Sequence, residues 1–221
     1  ANMILVSFVI LLFLIQKVSM KHTDEIIANI NINRGNYDIK ADVHTGGTVI
    51  SVKGTTTSNL KHSYSVQSKG KMDLAKLLRN YGYNFKGLNK AKLPFDIKVK
   101  INGTNNKISG SYELYSPYGE YVVEYEQLHA KGKINDLLSL NLDINAKMSE
   151  LWVGYQRLKN VSGNLNIKNN VVHISNISND KLQASGSFNM KNGNIRINSE
   201  LKDYVVYNNI KPEVNLYIKD A

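Results

Sequence analysis

Apolar and polar residues alternate along much of this chain, most regularly in its C-terminal half. In Ser139–Met148, Leu140, Leu142, Ile144, Ala146 and Met148 fall on one side and Ser139, Asn141, Asp143, Asn145 and Lys147 on the other. The same rhythm returns in Gly163–Lys168 (Leu165, Ile167), Lys181–Lys191 (Leu182, Ala184, Phe188, Met190), Asn194–Lys202 (Ile195, Ile197, Leu201) and Glu213–Lys219. Successive side chains of a strand point to opposite faces, so a period of two predicts strands with one greasy and one wet face. Antiparallel sheets tolerate that asymmetry.

Further upstream, strands are expected at Ile26–Ile32, Tyr37–Val43, Thr48–Lys53, Tyr64–Gln67 and Phe95–Ile101, with Gly46-Gly47 as a tight turn. Lys107–Tyr115 and Glu120–Glu126 read as a hairpin closed by Ser116-Pro117-Tyr118-Gly119, with proline and glycine placed as a type I turn favours. Asn135–Leu138 reads either as a helical turn or as the start of the next strand. One helix is expected, Asp73–Asn80, with Leu74, Leu77 and Leu78 on one face, Asp73 as its cap and Gly82 as its stop. Two turns do not hold without packing, so this helix must dock on the sheet. It either closes one end of the greasy face or marks a border between two lobes near Tyr81–Lys92.

The expected fold is therefore all-β: an antiparallel sheet, one short helix and an N-terminal hydrophobic segment. Met3–Ile15 is apolar apart from Ser7, and Val18 extends it. It reads as a membrane anchor cut short upstream, with a buried core segment as the alternative. It lacks the basic region and cleavage site of a signal peptide. Lys17 and Lys21 follow it, which argues mildly for a cytoplasmic C-terminal side. The expected organisation is an anchor at 1–21, a β-rich region at 22–72, a helix and connector at 73–92, and repeated strands at 93–221.

Composition adds mainly exclusions. The chain has 221 residues, no cysteine and only three prolines. Thiolate chemistry is thus absent, and few strand ladders are interrupted. The net charge of +10 raises the question of a nucleic-acid partner. Lys98, Lys100, Lys168 and Lys191 alternate with apolar residues, as on a solvated strand face, so no nucleic acid is expected. The histidines at 22, 44, 62, 129 and 173 lack metal spacing and read as polar-face or turn residues. Glu124 and Glu126 share a strand face, but their setting fits solvent better than acid–base work. Five of the thirteen tyrosines cluster in the hairpin, where cross-strand packing explains them. No catalytic, cofactor or metal residues are expected, and the protein reads as a non-enzyme.

From Asp73 onward the chain resembles the AsmA/TamB-like family of bacterial envelope proteins. The resemblance lies in the Leu-rich helix, then Asn84-Phe85-Lys86-Gly87 and Leu93-Pro94-Phe95, and in the glycine-led strand rhythm of Ser162–Ser178 and Lys181–Leu201. It implies an inner-membrane anchor through residues 3–18 and a periplasmic, elongated and curled sheet with an apolar concave face. It also implies phospholipid transport or outer-membrane assembly, an outer-membrane β-barrel as distal partner, and a chain that is part of something longer. The basic residues after the anchor depart from the expected orientation. On this reading Leu140, Leu142, Ile144, Leu165, Ile167, Leu182, Phe188, Ile195 and Ile197 line a groove for phospholipid or another acyl-chain lipid. The alternatives are a lipopolysaccharide-transport jellyroll and a surface-anchored adhesin or structural module with a closed, dry core.

Overall fold

The computed structural model describes residues 25–45, 48–70, 72–80, 82–121, 123–201 and 213–218. The expected anchor at residues 3–18 and the Gly46-Gly47 turn lie outside the described residues. Among the described residues, thirteen strands form one open antiparallel meander in which each pairs with the next, and a fourteenth, of two residues, lies off this path. In order they are β1 (Glu25–Asn33), β2 (Asn36–Thr45), β3 (Thr48–Thr56), β4 (His62–Lys69), β6 (Pro94–Thr104), β7 (Lys107–Glu120) and β8 (Glu124–Asp136). The sheet continues with β9 (Asn141–Val153), β10 (Gln156–Lys168), β11 (Val171–Ser178), β12 (Leu182–Asn189), β13 (Ile195–Leu201) and β14 (Glu213–Ile218). A two-residue strand, β5 (Met72–Asp73), pairs with the start of β6 and leads into the helix α1 (Leu74–Asn80). Among the described residues no helix is long and apolar enough to cross a membrane.

Local chemistry explains the meander. Two hairpins turn on two-residue loops with both residues at positive φ: Arg34-Gly35 (49° and 79°) between β1 and β2, and Asn169-Asn170 (54° and 61°) between β10 and β11. Such loops match the twist of the flanking strands, and Gly and Asn tolerate the conformation best. The helix forms as its sequence suggests. Asp73 Oδ1 accepts the Ala75 N–H at 2.9 Å, and Gly82, at φ 88°, follows the C-terminus.

Three expectations need correction. Ser116–Gly119 is not a turn: β7 runs through it to Glu120, and the reversal comes between Glu120 and the start of β8 at Glu124. Pro117 and Gln127 are skipped in the β7–β8 pairing, which suits a residue without an N–H. Leu140 is not in a strand. It sits at φ 49° in the turn after β8, where Asp136 Oδ1 accepts the Leu138 N–H and Oδ2 the Ser139 hydroxyl. His62 is not on the polar face but buried, 8% exposed, on the apolar one.

Alternation also slips by one along a line crossing the sheet. The buried positions run Leu158, Val161, Gly163 in β10 and Ala146, then Leu151, in β9. Gln127 and Asn160, on this line, have positive φ (49° and 51°), and Asn160 is skipped in the β9–β10 pairing. In β11 a bulge follows Ile174. Such irregularities bend strands and increase local twist.

The sheet is not flat. Tyr121, just after β7, and Phe188 in β12 have ring centroids 6.4 Å apart. Five strand spacings would separate them by about 24 Å in a flat sheet. Glycines allow the bend. A Cβ on Gly110, Gly132 or Gly186 would lie within 2.0 Å of a carbonyl oxygen of the adjacent strand. The backbones approach where a side chain would otherwise stand.

Candidate functional site

The registered strand pairs trace two rows across one face of the sheet, the second interrupted between β8 and β9. The first runs Ile30, Ile39, Gly54, Tyr64, Ile101, Gly110, Ile134, Leu142, Ile167, Val172, Phe188 and Ile195, with Ile218 next in register. The second begins Ala28, Ala41, Val52, Val66, Val99 and Tyr112. It resumes at Ile144, Leu165, Ile174, Gly186 and Ile197. Neither row contains Asp, Glu, Lys or Arg. The opposite parity carries the exposed lysines, among them Lys98, Lys100, Lys131 and Lys147.

Of the residues expected to line a groove, Leu142, Ile167, Phe188 and Ile195 stand in the first row and Ile144, Leu165 and Ile197 in the second. Leu182 lies beyond the slipped line, buried with Leu151, Leu158 and Val161. Leu140 packs from its turn against the cluster built around Phe85 and Leu88. The members of the rows in β1 to β8 were not singled out from the sequence. Their signal was the same alternation, visible in Tyr37–Val43 and Phe95–Ile101.

Several polar groups next to these rows are paired. Thr56, fully buried, has its hydroxyl 2.9 Å from His62 Nδ1 and 2.6 Å from Tyr64 Oη. His62 Nε2 lies 2.7 Å from Asn105 Oδ1, so Nε2–H donates there and Nδ1 accepts the Thr56 hydroxyl. A hydroxyl beside an imidazole can be an activated nucleophile, but this one has no surface for a substrate. Ser116 Oγ, 1% exposed, bonds Pro94 O, Tyr118 O at 2.9 Å and Tyr125 Oη at 3.0 Å. The Tyr112 hydroxyl donates to Asp143 O at 2.9 Å; burial first, then the Asp143 charge, pushes its pKa well up. Glu124 and Glu126 are both exposed. Among the described residues no group of His, Asp and Glu could hold a metal ion.

One part of the apolar face is covered by protein. Residues 82–93 follow α1 and lay Phe85, Leu88 and Ala91, with Ala75 of α1, against Leu140, Ile167, Val172, Phe188 and Met190. Phe85 meets Phe188 edge-on at 5.0 Å and Tyr121 at 5.9 Å, geometries that aromatic quadrupoles favour. Tyr83 Oη donates to Asn170 Oδ1 at 2.9 Å and Tyr121 Oη to Lys86 O at 2.7 Å. The other part is bare. Ile26, Ile30 and Ile32 of β1 share parity with Val43, Ile39 and Tyr37, yet are 45%, 36% and 54% exposed. A cavity of about 440 Å³ over Ile30, Ile39 and Gly54 is rimmed by Asn29, Asp38, Lys40 and Lys53. Those rim residues have polar parity, so the cavity is not a vestibule of the apolar rows.

No family model, curated protein or solved structure matches this chain.

Proposed function

We propose that this is a non-catalytic lipid-handling protein whose curled sheet forms an elongated groove, with acyl chains held on its concave apolar face. The reading extends to an envelope protein held at a membrane by residues 3–18, passing phospholipid toward an outer membrane and a β-barrel partner there. The observation that carries it is the pair of uncharged rows, bare at β1. Burying a Leu or Ile side chain is worth about 1.5–3 kcal/mol, so a row left in water strongly favours a cover. Hydrocarbon suits a face without a single ionic group, because any charge there would have to be desolvated.

The test is uptake of a fluorescent fatty acid and of phospholipid by Leu142→Asp, with Ser111→Asp on the polar parity as the control. Loss of uptake in the first and retention in the second, both folded by circular dichroism, is the expected result. Photocrosslinkers at Ile30 and Ile174 address the competing reading of a dry structural module, which the packing of Phe85 and Leu88 favours locally. Lipid adducts support the groove. Crosslinks to protein alone, in a folded sample, overturn it.

A further inference from the structure

The segment that covers the apolar face has a second side. Residues 74–93 contain Lys76, Arg79, Lys86, Lys90 and Lys92 and no Asp or Glu, which is half of the chain's net charge of +10. Burial separates the two chemistries: Ala75, Phe85, Leu88 and Ala91 are buried, whereas Lys76, Lys86, Lys90 and Lys92 are exposed. Lys191 joins them. It is exposed on the turn after β12, where a Cβ on Gly193 would lie 3.2 Å from Phe85 Cβ, and it lines a cavity of about 320 Å³ with Tyr83, Asn84 and Asn170. Glu120 pairs with Lys92 at 3.2 Å, and Arg79 Nη1 donates to Leu88 O at 3.2 Å. Asp73 bonds the Ala75 N–H.

We infer that the outer side of residues 74–93, with Lys191, is a docking surface for an anionic lipid bilayer. The choice of partner rests on the acyl-chain reading, because this basic side backs directly onto the apolar face at its covered end. A basic segment near an anionic surface gains attraction from each Lys or Arg, and the attraction fades within a Debye length as salt rises. Nucleic acid is the less suitable partner. Of the segment's described aromatic rings, Phe85 is buried edge-on against Phe188 and Tyr83 is half-buried with its hydroxyl on Asn170 Oδ1, so neither stands open for base stacking.

The experiment is flotation of the full chain with phosphatidylcholine vesicles, with and without phosphatidylglycerol, at low and high salt. The apolar run Met3–Ile15 adds affinity for both vesicle types, so the readout is the preference for the anionic one. Lys76→Glu/Lys86→Glu/Lys90→Glu is expected to cut binding to anionic vesicles on the order of 100-fold, with unchanged melting, because each basic group contributes about 1 kcal/mol near such a surface. Lys98→Glu/Lys100→Glu/Lys131→Glu, on the polar face of the sheet, is expected to keep the preference. The docking inference is overturned if the first triple variant keeps its preference, if both triples lose it equally, or if single-stranded polyuridylate binds more tightly than vesicles. Leu142→Asp separates the two readings: loss of fatty-acid uptake with the anionic preference intact supports both. Normal uptake by Leu142→Asp together with lost preference in the first triple overturns the groove alone.

Discussion

The apolar face has two ends with the same strand pattern and different fates. At β1 to β3, Ile30, Ile39 and Gly54 stand side by side, and Ile30 remains 36% exposed at the sheet edge. At β10 to β12, Ile167, Val172 and Phe188 stand equally side by side but lie beneath Phe85 and Leu88. Alternation decides which side of a sheet is apolar; it does not decide what lies on top. The cover comes from residues 82–93, which alternate poorly and hold their place by contacts between parts of the chain far apart in sequence. A single row can thus be core at one end and available surface at the other.

The largest expected effect breaks the covered end. Phe85→Ala removes a side chain that touches Phe188 and Tyr121 at once, leaving a void between connector and sheet. Truncations of buried Phe cost about 3–5 kcal/mol. Urea unfolding should show that loss, and fatty-acid uptake should rise rather than fall if the uncovered Ile167 and Phe188 become part of the groove. A cost below about 1 kcal/mol would mean that the connector is only loosely laid on the face.

Much of this arrangement was legible in advance. The alternation at Gly163–Lys168 placed Leu165 and Ile167 on the apolar parity, and Asp73 and Gly82 bounded the helix almost to the residue, because caps and periodicity are local. The irregular line was not legible. Ser116-Pro117-Tyr118-Gly119 carries the composition of a turn, but pairing on both sides of Pro117 holds β7 in one strand, so tertiary pairing overrode local preference. His62 looked like a surface residue until Thr56, Tyr64 and Asn105 were brought around it by β3, β4 and the turn after β6. The bend was equally hidden. Gly110, Gly132 and Gly186 read as weak points in strands, and only the register shows a neighbouring carbonyl in the place of each missing Cβ.

A smaller effect probes the ground between the two ends. Burial raises the pKa of Tyr64 and Tyr112 in the middle of the face, and of Tyr83 and Tyr121 at the cover. The unfolded chain releases these protons near pH 10, whereas the folded chain holds them to higher pH. The unfolded state therefore binds fewer protons above that point, so stability is full below about pH 10 and falls as pH rises further. Urea midpoints measured from neutral to strongly alkaline pH should show this slope. Tyr112→Phe should flatten it while costing about 0.5–1.5 kcal/mol at neutral pH for the lost bond to Asp143 O.

The smallest expected effect lies at the bare end and is the sharpest test of the contrast. Ile30 and Ile39 are directly opposite each other in the first row, one 36% and the other 4% exposed. Truncating Ile30 to Ala deletes carbon atoms that already meet solvent at the sheet edge, so little transfer free energy is lost and no closed cavity forms. Its cost should stay near or below about 1 kcal/mol, against about 2–5 kcal/mol for a fully buried Ile truncated to Ala. Adding a long-chain fatty acid should widen the gap between the parent chain and Ile30→Ala if hydrocarbon rests on this row, because a ligand stabilises only the form that binds it. A buried-type cost without any lipid would mean that Ile30 is already covered in solution, and the two ends of the face would then be alike.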